Sequence, residues 1–173
     1  MFRITRKRWA GFSAALALVS ALALMLVTAS SADSPIAHRV HAGGPDACVS
    51  LLGADHPGCD ANFSLTATLL TDGTARGQYS DRFANGDGFH AVIDCVSVSG
   101  NTAWVSGWIT HGTVGGFDLS GLPVATRVQD LGTSAKDPPD KISLSFVTFA
   151  SVPCTLRIPY VLGDAPEGQV SVS

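Results

Sequence analysis

The sequence predicts an all-β domain, either a single antiparallel β-sandwich or a flattened barrel of about 7–8 short strands. Three observations predict this class. Apolar and polar residues alternate with a period of two in several short segments, turns rich in Gly, Asn and Asp separate those segments, and no long segment after residue 32 carries a helical apolar stripe. Period-two alternation serves a sandwich and a barrel equally well, so both architectures stay open.

Strand signals begin at Phe63 and continue to the C-terminus, with Asp-Gly, Asn-Gly and Gly-Asn turns whose residues tolerate positive φ. Strict alternation in the third strand puts Cys95 on the face of Phe89 and Val96 on the face of His90. The predicted strands cover residues 63–69, 76–82, 89–98, 102–110, 122–128, 142–149, 155–161 and 170–172.

The first 32 residues have the pattern of a secretory signal peptide that is cleaved after export. A basic segment comes first and contains Arg3, Arg6, Lys7 and Arg8. An apolar run over 14–27 follows, and 30–32 supply the small residues of a cleavage site. An uncleaved membrane span is the alternative, but the run is rich in Ala and Ser and typical of a bacterial export signal. We expect a signal at 1–32, an irregular N-terminal arm at 33–57 and the all-β domain at 58–173.

Charge limits the partners of the exported part. Cleavage removes four of the eleven basic residues and none of the fourteen acidic ones, so the formal charge moves from -3 to -7. An acidic domain without Lys or Arg clusters is poorly suited to nucleic acid or to anionic membranes. All but one of the acidic residues are Asp, which favours turns over helices.

Four cysteines predict disulfides, because an exported chain meets an oxidising environment. Cys48 and Cys59 flank a segment rich in Gly, Pro and Asp, which favours a local bridge. The complement is a bridge between Cys95 and Cys154, although four cysteines allow three pairings. A zinc site is the alternative, but no Cys-x-x-Cys or paired Cys-His spacing is present.

A set of strand and turn motifs lies at residues 77–81, His90, 92–107, 128–132 and Asp140. These motifs resemble a family of small exported bacterial β-domains, the post-COAP-1-type domains. In that family a Gly-x-x-Tyr-x-Asp-like strand, a Cys strand ending in Gly-Asn-x-Ala, and a Val-x-Asp-x-Gly loop recur in this order. Leu131 stands where the family usually has Asn, and Cys48 and Cys59 look like an addition. The resemblance implies a small exported β-domain and no assigned reaction.

A transition-metal site is one candidate function of the polar residues. Asp81, His90, Asp94 and His111 approach one another if their three strands form a meander, and His is the commonest metal ligand. A structural hydrogen bond between Asp81 and His90 is the competing interpretation. Further histidines lie in the N-terminal arm, namely His38, His41 and His56. The sequence predicts no cofactor.

Calcium is a second candidate, because Ca²⁺ prefers carboxylate and carbonyl oxygens. Asp130, Asp137 and Asp140 cluster in one predicted loop. A second cluster contains Asp81, Asn85 and Asp87. Neither loop follows the EF-hand order, and turn formation by Asp is the simpler explanation for both.

Trp104 and Trp108 are four residues apart on one predicted strand and therefore share a face. On an outer face the two indoles would form a platform for sugar rings or for a protein. On an inner face they would simply pack in the core, with Val105 and Ile109 covering the other side, and this second interpretation is favoured.

No nucleophile motif of the Gly-x-Ser-x-Gly type is present, and paired cysteines offer no thiolate. We therefore expect a non-enzymatic exported module that binds a protein or carbohydrate partner at or outside the cell envelope. A metal-assisted or paired-carboxylate hydrolase is the alternative. A β-barrel that carries a small ligand is a further alternative.

Overall fold

The computed structural model describes residues 34–45, 62–83, 85–134, 136–165 and 168–173, where the chain forms one antiparallel sheet of eleven strands that curls into a half-barrel. The all-β prediction is confirmed, as a single curled sheet. The strands are β1 Ile36–Pro45, β2 Asn62–Leu70, β3 Ala75–Arg82, β4 Gly88–Ser99, β5 Thr102–Val114, β6 Phe117–Asp118, β7 Pro123–Gln129, β8 Lys141–Ser143, β9 Phe146–Val147, β10 Leu162–Asp164 and β11 Gln169–Val172.

Strands β1 to β5 pair with their neighbours in chain order and form a meander. Strands β7, β8 and β10 extend the sheet beyond β5, while β11 pairs with β1 at the opposite end; β6 pairs with β5 and β9 with β7. The predicted turns lie where the meander needs them. Gly73 and Gly86 both have a φ of +86°, a conformation that glycine adopts without a steric penalty.

The inner face of the sheet carries the apolar core. Leu65, Ile93 and Ile109 are almost fully buried, and they belong to three different strands of the meander. The ring of Tyr79 meets that of Phe89 edge to face, with centroids 5.3 Å apart. Most of the long strands therefore contribute inward side chains to one continuous cluster.

Two irregularities in the β4–β5 ladder decide which side chains face inward. The register shifts between Ile93 and Cys95, so Asp94 is an extra residue of β4 and Cys95 lies opposite Ser106. The prediction that Cys95 shares a face with Phe89 is therefore wrong, because a bulge moves all later side chains to the other face. A Cβ atom at Gly107 would lie 2.0 Å from the carbonyl oxygen of Val92, so the ladder needs glycine here.

Carboxylates, rather than a further strand, bond the free edge of β11. Asp140 is buried and accepts the amides of Val170, at 2.6 Å, and Leu131, at 2.7 Å. Asp130 accepts the amide of Val172 at 3.1 Å. Since unpaired edge amides are costly when buried, these two side chains replace the missing ladder and join β11 to the segment that follows β7.

A segment that we call the strap, residues 148–161, crosses the outer face of β4, β5 and β7. It contains a short 3₁₀ turn at Cys154–Leu156, and the disulfide between Cys95 and Cys154 joins it to β4. The predicted strand over 155–161 is wrong. Its residues bond the outer face instead, for example through the Ile158 carbonyl, and none of them lies in a strand.

The prediction of an irregular arm over 33–57 is wrong for residues 36–45, which form β1. Only Val40 and Ala42 are buried there, so the apolar signal is weak. Pairing with β2 on one side and β11 on the other supplies the backbone hydrogen bonds that make this segment a strand.

The strand predicted over 142–149 is interrupted. Its first part is β8 and its second part is β9, and both pair with β7. Leu144 and Ser145 lie between them outside the ladder, and Ser145 bonds inner-face side chains of β3. The break thus follows from a polar contact that alternation alone does not encode.

Some predictions concern residues outside the described ranges. These are the signal at 1–32, the arm after residue 45, and the bridge between Cys48 and Cys59. Within the described ranges, no helix has the length and hydropathy that a bilayer-spanning segment requires.

Replacing Asp140 by Asn should lower the free energy of unfolding by about 2–4 kcal/mol, because one charged acceptor is lost and an NH₂ group then faces a backbone N–H. Urea denaturation measures the change. Asp137→Asn is the matched control: Asp137 is exposed and accepts the Ser134 amide, so a cost of about 1 kcal/mol or less is expected. Equal effects of the two substitutions would contradict the closure by Asp140.

Replacing both Cys95 and Cys154 by Ala should lower the free energy of unfolding by about 4 kcal/mol, since their bridge closes a long loop in the unfolded chain. The loop spans a sequence separation of 59 residues. Thermal and urea unfolding of the variant and the oxidised protein give the difference. An unchanged stability would show that the strap is held by its polar contacts alone.

Candidate binding site on the outer face

The outer faces of β4 and β5 hold a group of side chains that we call the outer patch: His90, Val92, Asp94, Trp108 and His111. Antiparallel pairing places His90 opposite His111 and Val92 opposite Trp108. Directly opposed residues of neighbouring strands have Cβ atoms about 5 Å apart, so each pair is in contact range. Phe89, Ala91 and Ile93 point inward, which leaves the alternate residues of β4 on the outside.

The two histidine rings are stacked. Their centroids lie 4.6 Å apart and their planes meet at 29°. Thr110 fixes one of the rings: its hydroxyl donates to the His90 carbonyl at 3.0 Å and lies 3.2 Å from His111 Nδ1. Because the hydroxyl has a single proton, it accepts from His111 Nδ1–H, which leaves the lone pair of His111 on Nε2.

The surroundings of His90 favour its neutral form. Partial burial lowers the pKa of His90 below the ordinary value of 6.5, and the nearby His111 and Arg82 lower it further. The neutral imidazole of His90 keeps a nitrogen lone pair that can accept a hydrogen bond or bind a metal ion.

Trp108 is half-exposed and held in one orientation. Its indole Nε1–H donates to Asp94 Oδ2 at 2.9 Å, and its side chain is 44% exposed beside Val92, which is 51% exposed. An oriented aromatic ring next to an aliphatic side chain, with a carboxylate at its edge, can contact apolar and polar groups of one ligand.

Trp104 lies on the same outer face but under the strap. Its Nε1–H donates to the Ile158 carbonyl at 2.8 Å, and the guanidinium groups of Arg127 and Arg157 lie 5.3 and 5.7 Å from the centre of its ring. The favoured prediction, that both Trp side chains pack in the core, is wrong because both point outward. Of the alternative two-Trp platform, Trp108 alone is open to solvent.

The four predicted metal ligands do not converge. His90 and His111 lie together, but Asp81 is buried on the inner face and Asp94 bonds Trp108. Asp81 and His90 belong to opposite faces, so the competing hydrogen bond between them is not formed. Among the described residues, no group of three or more His, Cys, Asp or Glu side chains is arranged to hold a metal ion.

The predicted calcium loops use their carboxylates for backbone bonds. Asp130 and Asp140 bond the β11 edge and Asp137 accepts the Ser134 amide. Asp87 accepts the Gly115 amide at 2.8 Å and the Asn85 side-chain amide at 2.9 Å. The Asp137 contact is a local turn of the kind that the sequence suggests. The backbone amides bonded by Asp87, Asp140 and Asp130 lie 28, 30 and 42 residues away, so turn formation does not explain these three contacts.

The inner face also holds a polar network that the sequence does not predict. The Ser145 hydroxyl donates to Asp81 Oδ2 at 2.7 Å and accepts from the Tyr79 hydroxyl at 2.6 Å. Its members come from β3 and from the link between β8 and β9, 64 or more residues apart in sequence. No local sequence pattern predicts a contact between residues so far apart. Its position among core residues favours a structural role.

Two supporting residues of the outer patch are also absent from the sequence predictions. Val92 supplies apolar contact, and Thr110 is an extra residue in β5, because the register shifts where His90 faces His111 and Ala91 faces Ile109. Bulges often lie next to functional sites, where they redirect side chains. Here Asp94 and Thr110, one from each irregularity, hold Trp108 and His111 respectively.

No protein-family model, curated protein or solved structure matches this chain. The resemblance to post-COAP-1-type domains therefore stays a prediction.

The His90 imidazole should titrate below pH 6.5, and His111→Gln should move its pKa upward, because the protonated form of His111 opposes protonation of His90. Heteronuclear NMR of the ring carbons measures both values. A folded-state pKa below the unfolded one means that the unfolded chain binds more protons, so His90 lowers the free energy of unfolding as pH falls below 6.5. A pKa at or above 6.5 in the folded protein would contradict this environment.

Proposed function

We propose that the protein is an exported, non-enzymatic binding module whose partner docks on the outer patch. One observation carries the proposal: Trp108 is half-exposed, its indole is fixed by Asp94, and it lies directly beside the exposed Val92. A large aromatic side chain loses little conformational entropy on binding when its orientation is already fixed.

Export is supported by two features. Residues 1–32 have the pattern of a signal peptide, and the Cys95–Cys154 disulfide is of the kind that persists in oxidising compartments. The acidic charge expected after cleavage makes nucleic acid and anionic membranes poor partners.

The small size of the outer patch and its mixture of apolar and polar side chains favour a carbohydrate partner. Stable protein interfaces bury about 800 Å² on each partner, whereas the apolar part of the outer patch consists of two side chains. The apolar face of a sugar ring fits on one indole, and Asp94, Thr110 and the histidines can bond its hydroxyl groups. The apolar side chains of the inner face pack into one buried cluster, and a side-chain-filled interior gives less support to a ligand-carrying barrel.

The second function predicted from the sequence, a hydrolase, finds less support. Asp81, the buried acid of the inner network, bonds Ser145, and Asp94 holds Trp108. These contacts explain both carboxylates without a reaction.

Trp108→Ala should weaken carbohydrate binding by about tenfold or more, because the loss of one stacked aromatic contact costs roughly 1.4 kcal/mol. The experiment titrates soluble hexose and N-acetylhexosamine oligosaccharides into the purified, oxidised protein and follows heat and NMR shifts. The control is Phe149→Ala, which removes an aromatic side chain that is 88% exposed on the strap.

The proposal requires that Phe149→Ala leave the affinity unchanged and that shifts appear at the amides of β4 and β5. An oligosaccharide that binds the Trp108→Ala variant as tightly as the original protein would place the binding surface elsewhere. Lack of binding to every oligosaccharide of the panel would reject a carbohydrate partner of these two classes.

A further inference from the structure

We propose that His90 and His111 form a two-imidazole binding site for a divalent transition-metal ion of the Cu²⁺ and Zn²⁺ class, with water completing the coordination. The site differs from the four-residue set that the sequence predicts, since neither Asp81 nor Asp94 takes part. It does not depend on carbohydrate binding by Trp108.

The separation of the two rings fits a chelate. With metal–nitrogen bonds of about 2.0 Å, two imidazoles on one ion have centroids about 4.4 Å apart at a right angle and about 5.1 Å apart at a tetrahedral angle. The observed 4.6 Å lies within this interval. The ring torsion χ2 of histidine is broad, so the His90 ring can turn a nitrogen edge toward an ion bound at His111 Nε2 without moving the strands.

The backbone holds both ligands in advance. His90 and His111 are register partners on the two longest strands of the sheet, so their Cα positions are set by the ladder. Binding therefore orders two side chains and little else, which keeps its entropic cost small.

Thr110 forms a hydrogen bond with the second ring nitrogen of His111, as is usual for metal-binding histidines. Its hydroxyl accepts from Nδ1–H and leaves Nε2 to bind the ion, while it also donates to the His90 carbonyl. A hydrogen bond to the second ring nitrogen of a ligand fixes its tautomer and orientation.

The local charge also admits a cation. The two rings line an open concavity of about 760 Å³, which is wide enough for a hydrated ion. Arg82 lies on its wall, but so do the carboxylates of Asp87 and Asp118. Both carboxylates accept backbone amides, so we assign them an electrostatic role and not a place in the coordination shell.

The ligand chemistry sets the order of affinities. Imidazole suits Cu²⁺, Ni²⁺ and Zn²⁺, and a site of given geometry binds Cu²⁺ most tightly. Ca²⁺ and Mg²⁺, which prefer carbonyl and carboxylate oxygens as ligands, should not bind to this pair.

The test titrates Cu²⁺, and separately Zn²⁺, into the purified oxidised protein by calorimetry. The chain has five histidines, so a His38→Gln/His41→Gln/His56→Gln variant removes all the others and serves as the background. In that background we expect one Cu²⁺ per chain, and His90→Gln or His111→Gln should each weaken binding by about 100-fold, because the chelate is lost.

Electron paramagnetic resonance of the Cu²⁺ complex gives a readout that does not rely on a variant. Two equivalent imidazole nitrogens should couple to the copper signal. A signal from one imidazole nitrogen, or a Cu²⁺ affinity that survives both substitutions at His90 and His111, would overturn the proposal. So would loss of binding in the triple background variant, since the site would then belong to the other histidines.

Discussion

The pairing of β4 with β5 is the constraint on which the rest of the structure depends. These are the two longest strands, and their register decides which side chains face the core and which face solvent. Because each bulge reverses the facing of every later residue, two one-residue irregularities determine where Val96, Cys95 and the outer patch lie. A ladder with strict alternation would have placed Cys95 on the inner face, away from the strap.

Several of the many Asp side chains accept hydrogen bonds from backbone amides, and these bonds give the Asp-rich composition a structural role. Asp130 and Asp140 bond the edge of β11, Asp87 bonds a hairpin tip, and Asp137 bonds its own loop. A short carboxylate can accept two backbone N–H groups at once, which Glu does less readily because its longer side chain has more rotamer freedom to lose. The curled sheet is thus joined at its seam by side chains, while ladders hold the remainder.

The outer face is divided into two parts by the strap. One part, around Trp104, is covered and bonded by the strap and by two arginines, and the Cys95–Cys154 bridge fastens this cover. The other part, around Trp108 and the histidine pair, stays open. The covered part stabilises the fold, and the open part can bind a ligand. The proposed binding site and the proposed metal site both lie in the open part.

The sequence by itself determined the all-β class, most strands of the meander and its Gly-containing turns, because these depend on local periodicity and turn chemistry. It favoured the Cys95–Cys154 bridge as one of three possible pairings, and the structure contains that bridge. Only the tertiary structure decided that residues 36–45 form a strand, that 155–161 do not, and that both Trp side chains point outward. It also decided which predicted metal ligands meet. Each of these outcomes rests on a bulge, an edge or a contact between residues distant in sequence, and such features have no local signal for periodicity to detect.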